Sequence, residues 1–346
     1  MSLYNRWTLP GQDLNKMNRL KSLLAAALLP LALFTAAVPA VAAPNLALLQ
    51  SVLGQERAWA GLQNKTVMVD GINTAYSEGG PATAPKVLLI HGFSGSRDNW
   101  NRVAHHLTRK YHVYVLDLPG HGDTGAPDGF DFQLANQMEF TRKFVTTLDI
   151  GKNLNVAGHS MGGGIAALYT AMYFQEVQSL VLIDSAGVYS NYGKSLMSDP
   201  QSLSNMLVRK PGDLKTLITK FAMYDPPLIP EELLEAQEKV QMDHLKWHEK
   251  LMATLQEQLK WYTPDTFKLA VRSIEAPTLV IWGEKDAIID VAAAEELKQN
   301  LKRPELLILP NVGHTPILEA DQIVAGAFVR FLDKAVATPN PFAPKP

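Results

Sequence analysis

The chain contains no cysteine. Disulfides, thiolate zinc or iron–sulfur sites and a lipid anchor built on an N-terminal cysteine are therefore excluded, while the redox compartment stays open. There is no block of lysine or arginine either. With 32 basic and 34 acidic residues the formal net charge is −2, so no nucleic-acid partner is expected. The nine histidines are scattered without metal-ligand spacing, and no H-E-x-x-H pair occurs. Neither a metal nor an organic cofactor is expected.

What the chain has in quantity is apolar sequence, 47% of 346 residues, enough for one large domain with an insertion or for two small ones. Near the start, Met17-Asn18-Arg19-Leu20-Lys21 is basic, residues 23–37 are apolar and uncharged, and Pro39-Ala40-Val41-Ala42 follows. Basic, apolar and small-residue segments in that order describe a signal peptide cut after Ala42. Residues 1–42 are thus expected to be a leader and signal peptide, and the protein to be exported, periplasmic or secreted. The competing expectation is a retained N-terminal membrane anchor, because the charge-free stretch is long enough to span a bilayer.

Beyond it, short apolar runs alternate with amphipathic segments of helical period. Strands are expected at residues 66–69 and 72–76, joined by the turn pair Asp70-Gly71, then at 86–90, 111–116, 154–157, 177–183, 278–282 and 306–309. Helices are expected between them, one capped by Asp98 or Asn99. This is an α/β pattern: a mostly parallel eight-stranded sheet with helices on both faces and one antiparallel strand pair at an edge. The rhythm stops after Gly187. Residues 188–267 hold no convincing buried strand, and Met242, Leu245, Met252, Leu255 and Leu259 fall mostly at helical spacing. The expected organisation is a core in two parts, 43–187 and 268–334, with a helical cap at 188–267. A proline-rich disordered tail is expected at 335–346.

The chemistry gathers at the strand ends, where open α/β sheets place their sites. Ser160 lies in Gly158-His159-Ser160-Met161-Gly162, directly after the apolar run Leu154-Asn155-Val156-Ala157. A G-x-S-x-G strand-to-helix turn presents a serine hydroxyl at the top of a sheet, and side chains two positions either side would not fit. Alone, the pentapeptide could be an ordinary glycine-rich turn. Two further groups single it out. Asp286 follows the strand at 278–282 on a Gly283-x-x-Asp286 turn, and His314 follows the last strand on Gly313-His314. Serine, acid and histidine in that order supply a nucleophile, a group to orient the imidazole, and a general base. Asp184, after the strand at 177–183, is the alternative acid. Glu284 and Asp290 neighbour Asp286 but lie off that turn. His159 is expected to point away from the serine and to support by hydrogen bonding, and His121 to serve loop structure. The backbone N–H groups of Phe93 and Met161 are the expected oxyanion hole, with Gly92 allowing close approach.

Val87-Leu88-Leu89-Ile90-His91-Gly92-Phe93, Asp117-Leu118-Pro119-Gly120-His121-Gly122 and Gly158-His159-Ser160-Met161-Gly162-Gly163, with the two C-terminal turns, resemble the α/β-hydrolase superfamily over residues 65–333. Val181-Leu182-Ile183-Asp184-Ser185-Ala186-Gly187, Tyr224-Asp225-Pro226-Pro227 and Trp282-Gly283-Glu284-Lys285-Asp286 are similar to exported lipases of cold-adapted gamma-proteobacteria and to membrane-associated monoacylglycerol lipases. The resemblance implies Ser160, Asp286 and His314 as the triad and Phe93 and Met161 as the hole. Lipid-modified members carry a lipobox cysteine that is missing here, which argues against such an anchor. The expected activity is cleavage of carboxylic esters, acylglycerols first, with a small-molecule or lipid ester as substrate and contact with a lipid surface. The alternatives are a carbon–carbon bond hydrolase of the same fold, and a catalytically silent binding protein. The oligomeric state is open, with a monomer as the starting assumption.

Overall fold

The computed structural model describes residues 44–338 and Phe342. The signal-peptide expectation for residues 1–42 lies outside the described residues, as does most of the expected tail.

Eight strands form one sheet: β1 (Leu62–Val69), β2 (Ile72–Gly79), β3 (Lys86–Ile90), β4 (His112–Leu116), β5 (Leu154–His159), β6 (Val177–Ile183), β7 (Thr278–Gly283) and β8 (Pro304–Leu309). Their order is β1-β2-β4-β3-β5-β6-β7-β8. β1 and β2 form the antiparallel edge hairpin, and β2 meets β4 antiparallel. Every other pairing is parallel. The hairpin turn needs two left-handed residues, supplied by Asp70 (φ 50°) and Gly71 (φ 79°).

The central strands read as unbroken apolar runs because both faces are covered. Leu88 and Ile90 of β3 join one core layer, while Val87 and Leu89 join the other. The first layer is closed by α3 (Leu134–Thr147), α4 (Met161–Met172) and α9 (Ala292–Asn300), the second by α2 (Asn101–Leu107) and α11 (Asp321–Val336). A first helix, α1 (Leu46–Trp59), precedes the sheet.

Between β6 and β7 the described chain contains only helices and turns. They are 3-10 turns at Leu196–Ser198 and Ser202–Met206, α5 (Asp213–Leu217), a π turn at Ile218–Ala222, α6 (Glu231–Asp243), α7 (Leu245–Gln258) and α8 (Pro264–Ser273). A four-residue α10 (Pro316–Glu319) follows β8.

The local differences from expectation have local causes. The helix after β3 is capped neither by Asp98 nor by Asn99. Ser96 caps a 3-10 turn at Arg97–Trp100 in a capping box with the Asn99 side chain, and α2 continues from it. The long apolar pattern through 242–259 is divided at His244, whose N–H and ring Nδ1 both bond back to the Val240 carbonyl. The boundary expected at 267 falls inside α8, and α11 runs to Val336, past the expected start of the tail. Among the described residues no helix is long and apolar enough to cross a membrane.

Candidate active site

Three strand ends converge. Ser160 follows β5 directly, and its backbone is strained at φ 52° and ψ −123° before α4 begins. That geometry is held from several sides: Ser160 N–H donates to Ile183 O at 3.0 Å, and the Ser160 carbonyl accepts from Gly163 and Ala186, each at 2.8 Å. The flanking glycines are steric necessities. A Cβ on Gly158 would stand 2.0 Å from the Gly162 carbonyl oxygen, and one on Gly162 2.3 Å from that of Ile90. On Gly92 it would lie 2.9 Å from the Ser160 Cβ. The expected close approach of that loop is therefore literal.

The Ser160 hydroxyl donates to His314 Nε2 at 2.9 Å, and His314 Nδ1–H donates to Asp286 Oδ2 at 2.8 Å. The second Asp286 oxygen accepts from Ile288 N (2.8 Å) and Ile289 N (2.9 Å). Those bonds fix the carboxylate before it meets the imidazole. All three groups are buried, Ser160 being 5% exposed. Glu284 is exposed and beside Lys285, Asp290 accepts from Ala292 N at the start of α9, and the His314 ring bonds instead to Asp286 and Ser160. Asp184 is fully buried at the end of β6. One of its oxygens accepts from Gly283 N at 3.0 Å, and the other has no hydrogen-bond donor. It sits beside the Asp286–His314 pair but makes no hydrogen bond to the ring.

The other expected residues take these places. His159 Nε2–H donates to the His314 carbonyl at 2.7 Å. Burial, the neighbouring His314 and His91 together lower its pKa to about 3, so the ring is neutral. His91 accepts from Leu118 N at Nε2 (3.1 Å), which puts its proton on Nδ1, 2.8 Å from the Gly92 carbonyl. One ring thereby ties the loop after β3 to the loop after β4. His121 is buried, bonded to the Pro119 carbonyl and packed between His91 and His248 of α7. Phe93 lies against His248 with ring centroids 5.5 Å apart. Among the described residues neither Phe93 N–H nor Met161 N–H donates to an acceptor. Met161 is the first residue of α4, where a helix N–H has no partner of its own.

Two supports escaped the sequence. Glu319 of α10 accepts from Gly313 N (3.1 Å) and Tyr224 N (2.9 Å). His314 N donates to the Ala222 carbonyl at 2.9 Å, so the histidine loop is pinned both to α10 and to the segment between β6 and β7. The Gly-His-Thr-Pro-x-x-Glu spacing was the available signal: Pro316 starts a helix whose first turn returns a carboxylate to the loop. The second support is Arg97, which bonds Asp117 and Asp123 and is 3% exposed. Asp117 also accepts from Arg97 N and Asp123 N, which closes the loop after β4 and ties it to the 3-10 turn at Arg97–Trp100.

Asp184, Asp286 and His314 are also the one group of candidate metal ligands among the described residues, with donor atoms within 4.8 Å of one another. Asp286 and His314 are already bonded directly to each other, so a metal there would have to displace that contact. As it stands, the arrangement can move a proton from a serine hydroxyl to an imidazole whose opposite edge is anchored.

The profile of the alpha/beta hydrolase fold matches residues 85–321. Lipase 1 of Psychrobacter immobilis is 31% identical over 275 residues, spanning 78% of this chain and 84% of its own. The monoacylglycerol lipase ABHD6 of Bos taurus is 27% identical over 294 residues, spanning 82% and 86%. The solved structure of lip1 from Acinetobacter baumannii AYE is 47% identical with a TM-score of 0.82, covering 84% of this chain and 97% of that one.

Proposed function

The chain belongs to the alpha/beta hydrolase fold family, and on that premise we propose that it is a carboxylic ester hydrolase of the lipase and esterase type, acting first on acylglycerols through an acyl-enzyme on Ser160. The observation that carries the reading is the unbroken line of contacts from Ser160 Oγ through His314 to Asp286, at 2.9 and 2.8 Å.

In this reading Ser160 Oγ attacks the ester carbonyl carbon while His314 Nε2 takes its proton. Asp286 holds the imidazole with its proton on Nδ1 and stabilises the imidazolium. The free N–H groups of Phe93 and Met161 receive the negative charge on the carbonyl oxygen. As the tetrahedral intermediate collapses, His314 returns the proton to the departing alcohol. Water then attacks the acyl-enzyme with the same histidine as base, and the acid leaves. Residues 188–267 act as a cap over the strand ends, with two contacts in support. Gln241 of α6 donates to the Ser94 carbonyl, and His248 of α7 packs on Phe93. The preference for glycerides rests on the named activities of the relatives and on Phe93 as an apolar wall. Residues 1–42 direct export, and an intact or shortened N-terminus in protein from the native host, read by mass spectrometry, decides between an anchor and a cleaved signal.

A fluorophosphonate should add its mass to Ser160, and Ser160→Ala should abolish the labelling and leave residual turnover only. Asp286→Asn should cost about 10⁴-fold in turnover, the loss seen when the acid of a serine protease is changed this way. Short- to long-chain p-nitrophenyl esters beside an emulsified triglyceride set the substrate class. Unchanged ester hydrolysis in Ser160→Ala overturns the mechanism. Ester hydrolysis with no action on glycerides keeps the mechanism and makes the protein a carboxylesterase.

A further inference from the structure

One oxygen of the buried Asp184 carboxyl lacks a donor. The Asp286 carboxyl lies beside that acid: one oxygen from each, with a ring nitrogen of His314, lie within 4.8 Å of one another. Two carboxyls enclosed together, with no cationic side chain between them among the described residues, would repel if both carried a full negative charge. A single proton on one of them resolves both problems. The hydrogen bonds say which one holds it. Asp286 accepts from Ile288 N, Ile289 N and His314 Nδ1, three donors that favour the ionised form. Asp184 accepts from Gly283 N alone. Asp184 also sits at φ 41°, a left-handed conformation unusual for a residue with a side chain, and its N–H is tied to the Ile281 carbonyl. The backbone is thus bent to deliver this carboxyl to the end of β6, beside the reacting pair.

We propose that Asp184 is a carboxylic acid kept protonated in the folded protein, that its O–H donates to the Asp286 carboxylate, and that it is a positioning residue for the Asp286–His314 pair. The proposal rests on the assignment of that pair to the reaction. Its consequences are two. The bond holds Asp286 with Oδ2 turned toward His314, and it draws charge from the carboxylate, so the imidazolium formed during turnover is stabilised less than a bare aspartate would stabilise it. The titratable groups facing Asp184 are Asp286 from the loop after β7, and His314 and Glu319 from the segment after β8. His159 reaches the same segment from β5 through the His314 carbonyl. Burial first, and the Asp286 charge second, push the Asp184 carboxyl well above the usual carboxylate range, in agreement with the geometry.

Infrared spectroscopy of the full chain with ¹³C-labelled aspartate tests the proton directly. At neutral pH the wild type and Ser160→Ala should both show the carbonyl stretch of a neutral carboxylic acid, and Asp184→Asn should lack it. Kinetics test the positioning. Asn keeps an N–H donor and an acceptor, so Asp184→Asn should stay within about tenfold of wild type with the acid limb of kcat/KM unmoved. Asp184→Ala loses the donor, so the acid limb should move up by about one pH unit. A merely structural role would lower the amount of folded enzyme without moving that limb. Absence of the band in the wild type overturns the proposal whatever the turnover, and so does a stoichiometric divalent metal in the purified protein. If Asp184→Asn loses as much turnover as Asp286→Asn while folded by circular dichroism, Asp184 is ionised and the proposal fails. If instead Ser160→Ala or Asp286→Asn keeps full activity, the reading of the site fails, and the band still decides the state of Asp184.

Discussion

His159 donates its Nε2–H to the carbonyl oxygen of His314 across 2.7 Å. The residue before the strained serine therefore braces the backbone of the residue whose ring accepts the serine's hydrogen bond. The two rings lie 5.1 Å apart, and the contact joins residues 155 positions apart in the chain. It fixes the spacing of two loops that have no strand pairing in common.

Replacing His159 should therefore loosen that spacing. His159→Ala leaves the His314 carbonyl without this buried donor, and stability should fall by roughly 1–3 kcal/mol in urea unfolding. kcat should fall while KM changes little, because the substrate is not held by this group. His159→Gln restores a donor and should recover part of both losses. Equal damage from Ala and Gln would deny the hydrogen bond its role.

Two glycines should respond in opposite directions. At Gly162 a methyl group meets the Ile90 carbonyl oxygen at 2.3 Å, a backbone atom in the centre of the sheet. Gly162→Ala should lower stability by more than about 4 kcal/mol, or abolish soluble protein. At Gly54, inside α1, an added Cβ meets nothing within 4 Å. Gly54→Ala should raise stability by about 0.5–1 kcal/mol through the higher helix propensity of alanine. Thermal melts of the two variants side by side check both signs.

The Arg97–Asp117 pair should behave as a buried ion pair. Asp117 is fully enclosed and Arg97 is 3% exposed. Arg97→Met strands a buried carboxylate and should cost about 3–5 kcal/mol. Adding Asp117→Asn to it should recover part of that loss, because the charge left unpaired is then gone. If the double variant is as unstable as the sum of the two single changes, the coupling is absent.

The buried histidines make stability fall toward acid. Burial holds His91 at about 4 and His159 and His248 at about 3, against an ordinary value of 6.5. Below 6.5 the unfolded chain takes up protons that the folded protein refuses, so the folded state loses ground as pH falls toward 3 to 4. Buried carboxyls with raised values, Asp98, Asp117 and Asp184, contribute with the opposite sign. A single-site comparison isolates the histidine contribution. His248→Phe keeps a ring against Phe93 and removes one such group. Its stability relative to wild type should improve by about 1.4 kcal/mol for each pH unit lowered between 6 and 4, and stay constant above 7. Urea midpoints across that range measure the slope, and a flat difference would show that His248 is protonated when folded.

Much of this molecule was legible along the chain because its determinants are local. An apolar run with both faces covered reads as a central strand, and β3, β6 and β7 fall within a residue of where periodicity puts them. Asp70-Gly71 reads as a hairpin because only certain residues accept the left-handed turn. The glycines around Ser160 are dictated by atoms a few residues away or on the adjoining strand end. Other features depend on groups far apart in sequence. Asp184 and Asp286 both follow strand ends and carry the same functional group. Only the packing of β6 beside β7, and of the β8 loop over both, puts Asp286 on the His314 ring and leaves Asp184 facing another carboxyl. The return of Glu319 to the histidine loop, the burial of Arg97 and the stacking of His121 between His91 and His248 are of the same kind. Periodicity and turn chemistry record what a segment does with its own neighbours. Which polar group a buried atom finds across the fold is set by desolvation among groups that only the assembled sheet brings together.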